Sequence, residues 1–196
     1  MLKNNALIGI DEAGRGPLAG PIAVGAFAVK SKGILKRFRG VKDSKQLSEL
    51  QREEWFREIK KQRLKGKILY AVSFSSCEVI DTKGITHATY SALNRCLKRL
   101  EKKAFASPEC RILLDGSLYA SSRYPNQKTI IDGDAKEKII ALASICAKVT
   151  RDRKMKRLAK EFPEYGFEIH KGYGTKAHYR AIRKYGPSEA HRKSFL

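Results

Sequence analysis

Acidic residues are scarce in this chain: Asp and Glu number 20 among 196 residues, against 41 Lys and Arg, for a formal net charge of +21. So strong a cationic excess points to a polyanionic partner, with nucleic acid the leading class. Cysteine is also sparse. Cys77, Cys96, Cys110 and Cys146 show no Cys-x2-Cys spacing and fall in apolar or helical stretches, which argues against a zinc knuckle or a disulfide framework and for reduced core thiols. The four histidines (His87, His170, His178, His191) include no His-x3-His pair, so a histidine-built metal site is not expected. No charged-then-apolar leader opens the sequence, and no apolar run approaches the roughly 20 residues that span a bilayer. The expectation is a cytoplasmic monomer without a membrane partner.

Hydrophobic content of 42% is enough for a sizeable core. The organising stretch is Ile8-Gly9-Ile10-Asp11-Glu12-Ala13-Gly14-Arg15-Gly16-Pro17, where a short apolar strand runs into two acids and a glycine-rich turn. Asp11 could simply open a polar turn. Gly9 and Gly14 have the spacing of a phosphate loop, but Arg15 and Gly16 stand where such a loop needs Lys and Ser or Thr, and two acids stand where phosphate oxygens would go. The remaining reading is a metal–carboxylate site beside a backbone-lined groove, because adjacent carboxylates taken out of water need a cation.

The same logic recurs downstream. Residues 19–29 and 67–75 read as strands, and a helix is expected over 46–61, where Ser44 is a candidate cap and Lys45 a candidate surface charge. Residues 76–81 and 85–103 read as helical. Arg111 to Asp115 is an apolar strand that ends on an acid followed by glycine, and 128–131 is a short strand closed by Asp132-Gly133-Asp134. Asp134 lies three residues before Glu137, the spacing of a capping box for a helix over 135–160. That helix divides into an apolar half, which must be buried, and a basic half from Arg151, which is expected to be wet. Ser144 and Lys148 lie one turn apart on one face of the buried half, facing a groove. Gly172 and Gly174 flank Tyr173 and free the backbone to present its ring, a possible stacking surface in a tail where aromatic and basic residues alternate.

The blocks Asp11 to Pro17, Asp43-Ser44-Lys45, Arg111 to Gly116, Ala143 to Asp152 and His170 to Thr175, in this order, resemble the type 2 ribonucleases H of the bacterial kind. No domain precedes the first strand, which favours type 2 over the related type 3 enzymes. The resemblance implies an α/β ribonuclease H-like fold: a mixed five-stranded sheet with an antiparallel three-strand start and flanking helices. A catalytic domain over 1–160 would carry a small helical extension over 161–196. It also implies an endoribonuclease acting on RNA–DNA hybrids and on DNA duplexes containing ribonucleotides. Asp11, Glu12, Asp115 and Asp134 would be its catalytic, metal-binding acids, holding two Mg2+ or Mn2+ ions with substrate. By the same resemblance Ser44 and Lys45 bind phosphate and Tyr173 meets the sugar at the junction; Gly14, Arg15, Gly16, Ser144 and Lys148 complete the expected substrate contacts. Four acids meeting at one place repel unless metal ions intervene, and hard oxygen ligands favour magnesium or manganese. The alternatives are a non-catalytic basic module whose acids only cap helices and turns, or another nuclease on the same fold.

Overall fold

The computed structural model describes residues 6–41 and 44–196. Five strands form one sheet in the order β3-β2-β1-β4-β5: β1 is Leu7–Ala13, β2 Ile22–Val29, β3 Ile68–Ser75, β4 Arg111–Asp115 and β5 Gln127–Ile130. β1, β2 and β3 pair antiparallel, whereas β4 runs parallel to β1 and β5 parallel to β4. The expected antiparallel start and mixed sheet are both present. Every residue of β2 is buried, so this central strand has cover on both faces.

The cover follows from the period-2 alternation of the strands. Ile8 and Ile10 of β1 join Ala26 and Ala28 of β2 on one face, packed by Leu93, Cys96, Leu97 and Leu100. Those four belong to α2 (Cys77–Glu101), which Gly84, at φ 81° and ψ 158°, divides into the two helical stretches expected. On the other face Leu7, Phe27 and Val29 meet Phe56 and Ile59 and a row from Ile139 to Val149. Phe56 and Ile59 lie on α1 (Glu49–Leu64). Ser48 caps this helix in a capping box with Gln51, so it starts later than expected and Ser44 is not its cap. Asp43, read together with Ser44 and Lys45, lies outside the described residues.

After β5 the chain makes α3 (Gly133–Lys136) and then α4 (Lys138–Glu161), which opens on Glu137. Asp134 therefore lies inside α3 and caps nothing; the extended Glu137 breaks the helix that was expected to run through from 135. Arg151, Asp152, Met155, Leu158 and Ala159 of α4 are buried, so the basic half is not wet on all sides. The chain beyond α4 folds back over this stretch. Met155, Leu158 and Ala159 share a cluster with Tyr165, Phe167 and Ala190, beside α5 (Phe167–His170) and α6 (Lys176–Tyr185). Arg192 N–H donates to Leu18 O at 2.8 Å, tying this end to the loop after β1.

Helix α4 rests on the sheet at backbone distance. A Cβ on Gly9 would lie 2.3 Å from the Ile139 carbonyl oxygen, and one on Gly25 would lie 2.4 Å from that of Ala143. Neither backbone oxygen can yield without moving the helix. Gly9→Ala should therefore lower the unfolding free energy by at least the roughly 1–3 kcal/mol typical of overpacking, read as a lower urea midpoint at unchanged slope. An unchanged midpoint would mean that the helix does not need this approach.

Candidate active site

Asp11, Asp115 and Asp134 reach one place because three neighbouring strands end there. Ile10 is in register with Leu114, and Asp115 with Ile130, so the carboxyl ends of β1, β4 and β5 lie side by side. Ligands of sheets with parallel strands characteristically bind at such ends. Alternation then sorts the acids: Asp11 and Asp115 share the odd-numbered face with Leu7 and Leu113, on which α4 packs. One oxygen from each of Asp11, Asp115 and Asp134 falls in a set whose members all lie within 4.8 Å of one another. Glu12, on the alternate face of β1, is not in that set; it lines the same cleft and lies 3.8 Å from the Arg15 guanidinium.

Main-chain hydrogen bonds orient Asp115 and Asp11. Asp115 Oδ1 accepts from Gly133 N–H at 2.6 Å and from Asp134 N–H at 3.3 Å. Gly133 allows this contact, since a Cβ there would lie 2.6 Å from Ile140 Cδ1. Asp11, 3% exposed, accepts from Glu12 N–H at 2.6 Å. Burial first, then the Glu12 and Asp115 charges, hold the Asp11 carboxyl well above the usual carboxylate range, against an opposing hydrogen bond from the Ser144 hydroxyl. Burial likewise raises Glu12, with Arg15 opposing. An all-oxygen donor set whose charged form is disfavoured in this way fits a hard divalent cation: its charge would offset both the desolvation and the mutual repulsion.

The expected substrate contacts line the same cleft, of about 270 Å3. Gly14, Arg15 and Gly16 line it, and Arg15 and Gly16 are exposed. Ser44, Lys45, Ser144, Lys148 and Tyr173, the last 44% exposed, line it as well. Several of these groups already have partners. Ser44 Oγ and Ser144 Oγ lie 2.7 Å apart, Lys148 Nζ donates to Asp152 Oδ1 at 2.9 Å, and Lys45 Nζ donates to Asp134 Oδ2 at 3.0 Å. Lys148 faces the groove, as its spacing from Ser144 suggested, and its ammonium lies 6.0 Å from the centre of the Tyr173 ring.

Two groups that hold the glycine loop escaped the sequence reading. Arg192, fully buried, donates to Gly14 O at 2.6 Å, Arg15 O at 2.8 Å and Gly20 O at 2.9 Å. Arg151, equally buried, donates to Pro21 O, Ala19 O and Lys171 O at 3.0–3.2 Å. Gly14 takes φ 88°, and a Cβ there would lie 1.9 Å from Arg151 Nε. Burial pushes Arg192 down to about 10, still charged at neutral pH. Extending the Ser144–Lys148 stripe one more turn would have found Arg151 and Asp152. Nothing in the local pattern marks Arg192.

A family model described as Ribonuclease HII matches residues 8–196. The chain is 43% identical over 190 residues to the Ribonuclease HII of Caldicellulosiruptor bescii, covering 97% of this chain and 86% of that one. With the Ribonuclease HII of Fusobacterium nucleatum it shares 44% identity over 196 residues, covering 100% and 87%. Among solved structures, the RNase HII chain of a PCNA:RNase HII complex from Archaeoglobus fulgidus superposes with a TM-score of 0.74 at 27% identity, covering 97% of this chain and 95% of that one.

The strained carboxylate has a consequence for stability. Because Asp11 is more easily protonated when folded, its ionised form at neutral pH destabilises the folded state. Asp11→Asn should melt higher than the unsubstituted protein in EDTA, by roughly 2–4 °C for each kcal/mol relieved in a chain of this size. Millimolar magnesium should close the gap by stabilising the parent more. A lower melting temperature for the variant in EDTA would show that this carboxylate is not under electrostatic strain.

Proposed function

The chain belongs to the ribonuclease HII family, the metal-dependent ribonucleases that cut the RNA of RNA–DNA hybrids, and from this premise we propose that it also incises DNA duplexes 5′ to a single embedded ribonucleotide, leaving a 3′-hydroxyl and a 5′-phosphate. The observation that carries this reading is the shared cleft: Asp11, Glu12 and Asp115 line the same space as Gly14 to Gly16 and Tyr173, and Asp134 clusters with Asp11 and Asp115.

In this reading Asp11, Glu12, Asp115 and Asp134 are the catalytic acids and hold divalent ions, magnesium or manganese, two of them when substrate is present. Divalent ions held by these acids would supply Lewis-acid activation of a water and positive charge to offset that on the departing oxygen. The protein's own groups do the positioning. Gly16 has no Cβ to hold substrate off, and the turn that Gly14 makes over Arg151 presents the loop backbone, which can meet the ribose 2′-hydroxyl, the group that tells RNA from DNA. Arg15 offers its amide and its cation to the neighbouring phosphate. Lys45, its side chain 74% exposed, exchanges Asp134 for a phosphate once Asp134 has another cation. Ser44, Ser144 and Lys148 supply further phosphate contacts. The Tyr173 ring packs on the sugar of the next nucleotide, where a deoxyribose fits and a ribose crowds. The site thus reads the RNA-to-DNA step.

The direct test is to incubate the protein with a DNA duplex carrying one ribonucleotide, with and without magnesium, and to map the ends. Magnesium-dependent incision on the 5′ side is expected; cuts elsewhere, or none, would overturn the reading. Asp115→Asn should lower turnover by orders of magnitude on hybrid and embedded ribonucleotide alike while leaving hybrid binding in place, because the amide keeps the shape and loses the charge. Turnover at the parent rate would remove Asp115 from the metal site.

Tyr173 carries a separate expectation. Tyr173→Ala should lose far more activity on the embedded ribonucleotide than Tyr173→Phe, since ring surface outweighs the hydroxyl here. Equal defects in the two variants would replace packing with a hydrogen bond from the phenol.

A further inference from the structure

Three histidines with no motif spacing come together behind Tyr173. The His170 and His178 rings stack with centroids 4.4 Å apart, and those of His178 and His191 lie 5.1 Å apart. His178 and His191 are 0% and 2% exposed. Their nitrogens point at one another, at main chain and at the Ser188 hydroxyl. Among the described residues no third His, Cys, Asp or Glu atom joins them in a metal-sized group. Their arrangement is a hydrogen-bond chain.

The direction of that chain follows from its fixed ends. Ser188 N–H can only donate, and it points at His191 Nδ1 at 3.0 Å, so that nitrogen accepts, the Ser188 hydroxyl 2.9 Å from it acts as a second donor, and the ring carries its proton on Nε2. His191 Nε2 faces His178 Nε2 at 3.0 Å, where one proton fits and two do not. His178 Nε2 therefore accepts, its proton sits on Nδ1, and Nδ1–H donates to the Tyr173 carbonyl at 2.9 Å. His170 is fixed in the same way. Gly172 N–H donates to its Nδ1 at 3.2 Å, leaving Nε2–H to donate to Tyr165 O at 2.7 Å.

The backbone on both sides of Tyr173 is thereby pinned while its ring stays free. Gly172 O accepts from Leu18 and Ala19 N–H at 2.9 and 3.3 Å, and Thr175 N–H takes the second lone pair of the Tyr173 carbonyl at 2.8 Å. We propose that Ser188, His191 and His178 form a neutral, one-directional relay whose role is to position Tyr173 for discrimination at the RNA-to-DNA step. The proposal rests on the reading of Tyr173 given above. His178 and His191 are positioning residues; they touch no substrate.

Protonation would break the relay. A second proton on His178 sets N–H against N–H at the 3.0 Å contact, and one on His191 Nδ1 opposes the Ser188 N–H and leaves only the Ser188 hydroxyl to accept it. The titratable groups facing the pair are each other, His170 stacked on His178, and Tyr165, whose ring centroid lies 4.7 Å from that of His191 and whose hydroxyl donates to Gly186 O. Phe167 closes the remaining side. Burial lowers both histidines, His191 to about 4. With folded values depressed, the relay persists through the upper part of the ordinary histidine range and is lost as pH falls below it.

The relay can be tested in two ways. Nitrogen-15 NMR of the parent protein at neutral pH should show His178 as the Nδ1–H tautomer and His170 and His191 as Nε2–H; an Nε2–H tautomer at His178 overturns the relay with no variant made. Kinetics tests its role. His191→Phe, which can neither accept from Ser188 nor donate to His178, should lower the ratio of embedded-ribonucleotide to long-hybrid cleavage by roughly three- to tenfold, the scale of one hydrogen bond. His191→Gln, with an amide that does both, should restore much of it. A merely structural defect would depress both substrates and leave the ratio unchanged, overturning the proposal. Tyr173→Ala in parallel separates the two readings. If Tyr173→Ala leaves the ratio intact, the Tyr173 reading fails; if it shifts the ratio and His191→Phe does not, the relay alone fails. In the double variant His191→Phe should add nothing to Tyr173→Ala, and an additive loss would count against action through Tyr173.

Discussion

The approach of helix α4 to the sheet governs the rest of the molecule. With hydrogen atoms alone at Gly9 and Gly25, the carbonyls of Ile139 and Ala143 come closer to β1 and β2 than any side chain would permit. That depth lets the Ser144 hydroxyl reach the Asp11 carboxylate and puts Lys148 in the same cleft. One turn further on, Arg151 reaches the loop carbonyls of Ala19 and Pro21. A helix raised by even one methyl group would withdraw all three. The two glycines, each costly to a strand in entropy, are thus a condition of the site.

Electrostatics in this protein is organised by contrast. A chain with a formal charge of +21 gathers three of its few acids within 4.8 Å and removes Asp11 almost wholly from water. The surrounding cations draw a polyanion toward the cleft, while the acids make the cleft itself a place for a cation. The two buried arginines stand apart from this field. Their guanidinium groups bond main-chain carbonyls of the loop after β1, so they work as multi-pronged donors that fix backbone, a geometry lysine could not reproduce.

How much could be read in advance depended on the range of the interaction. The strands were legible because alternation and β-branched composition are local, and their observed ends differ from the expected ones by three residues at most. Errors arose where a local pattern met a non-local competitor. Asp134 has the spacing of a capping box, yet its carboxylate is drawn to Lys45 and into the cluster with Asp11 and Asp115. Arg151 looked wet because its neighbours are basic; the returning C-terminal segment supplies the carbonyl of Lys171 and the cover that bury it. The three histidines were set aside for lack of spacing, although residues 8 and 13 positions apart can share a cluster once the chain doubles back.

The sequence by itself determined the chemistry available: which carboxylates end apolar strands, which glycines leave room for backbone, and how large a positive field surrounds them. Those are properties of residue type and near-neighbour order, so they survive without coordinates. Only the tertiary structure decided which groups meet. The parallel pairing of β1 with β4 and of β4 with β5 brings Asp11, Asp115 and Asp134 together, and the pleat turns Glu12 to the other face. Chain reversal after α4 closes Arg192 and His191 onto elements more than a hundred residues away or a dozen residues back. Strand register and chain reversal are set by packing across the whole molecule, and no stretch of neighbouring residues records them.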